Sequence, residues 1–95
     1  MPVFVILGLL FFSGDSAAAE QKIRLNVPGI TWASSAAAAS SAASSVKGVI
    51  SVEDNFNDST LTVVFDDDAA TADGIKEVLK GAGYPVLGPP EYLKY

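Results

Sequence analysis

Thirteen consecutive residues, Ala33 to Ser45, use only two small side chains: seven alanines and six serines. No other stretch limits the fold of this chain as much. The run contains no Gly or Pro, and alanine is the strongest helix former, so a helix is the regular structure open to it. Serine costs about 0.5 kcal/mol per site relative to alanine, roughly 3 kcal/mol over the six sites, so this helix stands only if it is docked. A flexible Ser-rich linker is the plainer alternative. The helix reading predicts an element ended by Gly48.

The flanking segments supply a support for such a helix. Lys22 to Val27 alternates polar and apolar, the pattern of a half-buried strand with Ile23, Leu25 and Val27 inward. Pro28-Gly29 ends it. Val49 to Phe56 and Thr60 to Phe65 read as two strands joined by Asn57-Asp58-Ser59, turn chemistry that makes them an antiparallel hairpin. Asp54 falls on the inward parity of its strand, between Val52 and Phe56, and is expected to escape burial near the hairpin turn. Thr71 is a good N-cap, with Asp73 in the first turn and Gly83 as the stop. Ile75, Val78, Leu79 and Ala82 have the spacing of one buried helix face. Tyr84 to Leu87 is expected to be a short last strand, broken by Gly88-Pro89-Pro90. The order β-α-β-β-α-β predicts an α+β, ferredoxin-like fold: a four-stranded antiparallel sheet with two helices on one face.

The first residues are not expected to belong to that fold. Val3 to Phe12 is an uncharged apolar run, followed by Ser13-Gly14-Asp15 and Ala17-Ala18-Ala19. This is the layout of a secretory signal peptide cut after Ala19, and ten apolar residues are too few to span a bilayer as a helix. The reading is a signal peptide over 1–19, a domain over 20–88 and a C-terminal tail over 89–95. The exported chain would be periplasmic or secreted, with no membrane span after cleavage.

Composition excludes several functions. The net charge is −5, and an acidic surface disfavours nucleic acid. The chain has neither cysteine nor histidine, so thiolate and imidazole, the usual zinc and copper ligands, are both missing. A serine nucleophile lacks a histidine base, and no enzyme is expected. No cofactor is expected either.

Four segments in order carry a family likeness. Pro28-Gly29-Ile30-Thr31, Val46-Lys47-Gly48-Val49, Val63-Val64-Phe65-Asp66-Asp67 and Ala82-Gly83-Tyr84-Pro85 together resemble the heavy-metal-associated domain family. The likeness is greatest to its periplasmic mercuric-ion-binding branch, with copper chaperones next, and it covers Lys22 to Pro85. It implies the same ferredoxin-like fold and a first loop carrying Gly-Met-x-Cys-x-x-Cys. Gly29 and Thr31 match that motif. Ile30 stands for Met, Trp32 for the first Cys and Ser35 for the second. The resemblance therefore implies the fold and a degenerate metal-binding motif, with no metal ligand at these positions.

What the loop does instead is open at this level. Ile30, Thr31, Trp32, Ser35 and Tyr84 are candidate contacts for a protein partner, with Trp32 as the anchor. Trp32 packing inward, to replace volume missing from the alanine helix, is the competing expectation. Alternatively the helix sits closer to the sheet, or a partner fills the gap. Ser34 and Ser35 are expected to cap the helix rather than to receive an anion. Asp66-Asp67-Asp68 offers oxygens suited to a hard cation, against the plainer reading of acids near a helix N-terminus. The function these features favour is a non-catalytic binding module that works by protein contact, with a place as a subunit of a larger assembly left open. A carrier holding metal ions weakly, through carboxylates or partner-donated ligands, is the alternative.

Overall fold

The computed structural model describes residues 19–94. The leader expected over 1–19 lies almost wholly outside the described residues. Six elements follow in chain order: β1 (Glu20–Asn26), α1 (Ala33–Ser44), β2 (Val49–Asn55), β3 (Thr60–Asp66), α2 (Ala72–Gly81) and β4 (Glu91–Leu93). They build one four-stranded antiparallel sheet in the order β2-β3-β1-β4. This is the ferredoxin-like arrangement predicted from the element order.

Strand periodicity sets which side chains enter the core. In the β1–β3 ladder Ile23 lies opposite Val63 and Leu25 opposite Leu61. All four are fully buried and join Val27, Phe65, Ile75 and Leu79 in one cluster with Ala36, Ala39 and Ala43 of α1. Arg24 and Asn26, on the alternate parity, face water.

Three alanines of α1 are thus buried to about the same degree as the large core residues. Small residues on a docked face let a helix approach a sheet closely, and the full burial of these alanines fits that geometry. Gly48, in the turn after α1, lies tightly against the connection from β3 to α2. A Cβ there would lie 2.7 Å from Ala69 Cβ. Its φ of +97° is itself a glycine conformation.

The hairpin between β2 and β3 behaves as its turn residues dictate. Asn55 Oδ1 accepts the N–H of Asn57 at 3.0 Å and that of Asp58 at 3.3 Å. This is an Asx turn. A bulge between Val49 and Ser51 leaves Ile50 without an opposite residue and exposed. Asp54 stays at the surface, as expected, and accepts the Ser40 hydroxyl of α1 at 2.9 Å.

α2 starts at Thr71, whose Oγ1 accepts the Gly74 N–H at 2.9 Å, a side-chain N-cap. It ends in a Schellman motif. Gly83 N–H donates to Lys80 O at 3.0 Å and Tyr84 N–H to Leu79 O at 2.8 Å, with Gly83 at φ +94°. Its buried face is narrower than the spacing predicts. Ile75 and Leu79 are buried, whereas Val78 lies at the exposed border of that face, and Ala82 is exposed as the C-cap of a helix that stops at Gly81.

The largest correction concerns the last strand. Tyr84 to Leu87 does not form one. Pro85 has no N–H to give a ladder. The segment makes one backbone bond to the end of β1, from Leu87 N–H to Asn26 O at 2.8 Å. The edge strand comes from Glu91–Leu93, inside the segment read as a tail. It pairs with Lys22–Arg24 and is fastened by an exposed Arg24–Glu91 ion pair at 3.2 Å. Among the described residues, no helix is long and apolar enough to cross a membrane.

Candidate functional site

The loop from β1 to α1 is built from below. Ile30 N–H donates to Val27 O at 3.0 Å, closing a turn through Pro28 and Gly29. The β2–β3 hairpin then clamps it. Ser59 O accepts the Val27 N–H at 2.8 Å, and the Ser59 hydroxyl donates to Ile30 O at 2.7 Å. Ser59 holds a φ of +57° in this position. Ile30 consequently points into the core and is fully buried. Proposed from sequence as a surface contact, it is instead the apolar root of the loop. No signal in the loop alone distinguishes the two roles, because Ile30 lies outside any strand or helix period.

The start of α1 is closed by a serine inside the helix. Trp32 is the N-cap residue, in extended conformation, and its indole offers no acceptor for the free N–H groups. Ser35, at the third helical position, reaches back instead. Its Oγ accepts the N–H groups of Thr31 and Trp32, each at 3.1 Å, and lies 3.0 Å from Trp32 O, to which its hydroxyl donates. This is the backward half of a capping box. It is the capping role expected of Ser35, and it commits the hydroxyl fully. Ser34 is exposed.

With the backbone fixed this way, the Trp32 ring faces solvent and is 73% exposed. The inward-packing expectation is not met, because Ala36, Ala39 and Ala43 are already sealed against the sheet. Thr31 is exposed beside it.

Tyr84 reaches the same end of the molecule through the Schellman turn of α2. Its half-buried ring lies against Gly29, where a Cβ would come within 3.3 Å of Tyr84 Cδ1. Next to it Pro28, Gly29, Pro85, Val86 and Leu87 line an open cleft of about 230 Å³, and Leu87 is 62% exposed. Sequence reasoning misses Pro85 and Leu87 as surface residues of this end because 84–87 reads as a strand. The available signal was the absence of any charged residue between Gly81 and Pro90.

The acidic triplet lies elsewhere. Asp66 pairs with Glu20 at the start of β1, whereas the loop follows Asn26 at its other end. A strand of this length separates the two by about 20 Å. The three carboxylates can place one oxygen each within 4.8 Å of one another. Asp66 Oδ1 accepts the Asp68 N–H at 2.9 Å within the turn, and Asp67 Oδ2 accepts from Gln21 Nε2 of β1 at 3.3 Å. The triplet and the loop therefore cannot share one ligand.

A small antiparallel sheet covered by two helices, with an exposed loop at the start of the first, defines a domain of the ferredoxin-like class. The heavy-metal-associated domain matches residues 24–85, and the chain belongs to that family. The mercuric transport protein periplasmic component of Acinetobacter calcoaceticus is 34% identical over 83 residues, covering 87% of this chain and 91% of that protein. Oxidized MerP from Ralstonia metallidurans CH34 superposes with a TM-score of 0.69 at 29% identity, covering 80% of this chain and all of that one. The Cu(I)-loaded N-terminal domain of a potential copper-translocating P-type ATPase from Bacillus subtilis gives 0.66 at 25% identity, covering 70% of this chain and 84% of that one. The periplasmic location expected of this chain agrees with the relatives' names.

The residues present do not fit a thiophilic ion. The whole chain has no cysteine and no histidine. At the loop, the indole of Trp32 is a donor only, and the Ser35 hydroxyl is committed to the helix start.

Proposed function

We propose that this chain is an exported, non-catalytic binding module of the heavy-metal-associated family, without the thiol site and acting by protein contact. The contact surface is Thr31 and Trp32 with the neighbouring Tyr84. Ser35 holds the loop in shape, and Ile30 anchors it in the core. The observation that carries this reading is the 73% exposure of Trp32 on a loop whose backbone is fastened on both sides. A large apolar ring carried in water on a fastened backbone has few rotatable bonds to restrict on binding and much area to bury, the profile of an interface anchor. Membership of a larger assembly is compatible with the same surface.

Two measurements test it. Calorimetric titration of the exported protein with Hg(II), Cu(I) and Zn(II) is expected to show no stoichiometric binding, and micromolar or tighter binding would refute the lost site. Acrylamide quenching of Trp32, the only tryptophan, is expected to be efficient, with red-shifted emission. A blue-shifted, protected ring would remove the anchor.

A second reading is a carrier that holds a hard cation weakly at Asp66–Asp68, favoured by the mutual reach of the three carboxylates. Calcium titration of an Asp66→Asn, Asp67→Asn variant against the parent chain separates the two.

A further inference from the structure

The sheet face turned away from the helices carries a continuous groove. It begins at the apolar cleft of about 230 Å³ beside Pro28 and Val86. Leu87 borders both this cleft and a second hollow of about 360 Å³. Arg24, Asp58 and Thr60 in turn border both the second hollow and a third of about 590 Å³. The groove thus runs from Leu87, bonded to Asn26 of β1, across β1 and β3 to Glu53 of β2. Three strand spacings give it a length of about 14 Å, the reach of about four extended residues. One end is apolar and the other is acidic. Glu53, Asp54 and Asp58 line the third hollow, and all three are exposed. Arg24 is the one base lining the groove, and Glu91 neutralises it at 3.2 Å. Among the described residues no base pairs with the other three carboxylates. Asp54 accepts from the Ser40 hydroxyl at 2.9 Å and Asp58 from the Asn55 side-chain amide at 3.0 Å, both neutral donors.

We infer that this groove binds an extended basic peptide segment of a partner protein, laid across the strands, with an apolar side chain in the Leu87 cleft and Lys or Arg side chains against Asp58 and Glu53. The surface is separate from the contact loop, since Thr31 and Trp32 line none of the three hollows. Charge selects the occupant. Three carboxylates without a base attract positive charge and repel nucleic acid. Their spacing excludes a single chelated cation. Glu53, Asp54 and Asp58 do not bring three oxygens within 4.8 Å of one another, as Asp66–Asp68 do. They match charges spread along a chain rather than one ion, which needs converging oxygens. The cleft adds a second requirement. Pro28, Pro85 and Leu87 offer a polyamine nothing, but they bury an aliphatic side chain. Between the two ends Thr60 and Thr62 present hydroxyls that can donate to or accept from peptide groups. So polar a lining is unlike that of a small-molecule pocket. A contact of about four residues lies below the standard interface size, so the complex is weak, with a dissociation constant of about 10 μM to 1 mM.

The test titrates isotope-labelled exported protein with the capped peptide Leu-Ser-Lys-Ser-Lys and with its reversed sequence, and follows amide shifts by NMR. For at least one of the two, saturable shifts are expected at Arg24, Glu53, Thr60, Thr62 and Leu87. Affinity is expected to fall about tenfold as salt rises from about 0.02 to 0.5 M. Glu53→Gln with Asp58→Asn, and separately Leu87→Ser, should each weaken binding about tenfold with unchanged far-UV circular dichroism. Trp32→Ala and the pair Asp66→Asn, Asp67→Asn should leave it unchanged. No saturable shift from either sequence up to about 5 mM peptide overturns the proposal. So does equal binding of Leu-Ser-Glu-Ser-Glu, or shifts gathered at Asp66–Asp68. Spermidine binding as tightly, and indifferent to Leu87→Ser, overturns it in favour of a free polycation. Binding lost in Trp32→Ala overturns the separate groove and returns the partner to the loop, whereas a Trp32 ring protected from quencher removes the loop anchor and leaves the groove standing.

Discussion

Replacing Ala39 by leucine tests how α1 is held. Ala39 is fully buried in the middle of α1, which packs on β2 and α2. Leucine adds three carbons. If α1 is seated as closely as the burial of Ala36, Ala39 and Ala43 indicates, those carbons have no room, and overpacking costs about 1–3 kcal/mol. Were a void present instead, filling it would gain about 0.8 kcal/mol per carbon, roughly 2.4 kcal/mol in all. The two cases differ in sign. A domain of this size has about 4–11 kcal/mol of total stability, so either outcome is a large fraction of it. The assay is urea unfolding followed by far-UV circular dichroism. With a slope of about 1 kcal/mol/M, the midpoint should fall by about 1–3 M at unchanged slope. Ala37 lies on the exposed face of the same helix. Ala37→Leu is therefore the control and should shift stability by no more than about 0.5 kcal/mol. A midpoint that rises for Ala39→Leu would refute the seated helix and restore the idea that something else fills space beneath α1.

Other consequences are as direct. Gly48→Ala combines a left-handed φ with a Cβ 2.7 Å from that of Ala69. It should destabilise by about 2 kcal/mol or more in the same unfolding assay. Ser59→Ala removes the 2.7 Å bond to Ile30 O. It should cost about 1 kcal/mol and speed amide exchange at Ile30 and Thr31. Trp32→Cys combined with Ser35→Cys puts two thiols at the start of α1, where the helix end favours thiolate. Calorimetry should then register stoichiometric Hg(II) binding that the parent chain lacks. If the double variant folds but binds nothing, the loop backbone differs from a thiol loop in more than its side chains.

Much of this architecture was legible because it rests on local rules. Alternation placed Ile23, Leu25, Leu61 and Val63, and Asn57-Asp58-Ser59 marked the hairpin. Thr71 and Gly83 marked both ends of α2. The last strand was misplaced because Tyr84-Pro85-Val86-Leu87 and Glu91-Tyr92-Leu93 are both short and apolar enough. The choice between them lay in which segment could satisfy the free edge of β1, a non-local hydrogen-bonding question.

The site divides the same way. From residue identities alone the chain can offer no thiolate and no imidazole, and Trp32 and Ser35 stand where the family keeps cysteines. Sequence therefore settled what the loop cannot coordinate, since ligand chemistry belongs to the side chain itself. It could not settle where Ile30 and Trp32 point. That was decided by three-dimensional crowding: alanines sealed against the sheet left no interior space for an indole, and Ser59 from a distant hairpin drew Ile30 inward. The loop and the Tyr84–Leu87 segment were likewise far apart in sequence, and came together only when Tyr84 came to rest on Gly29.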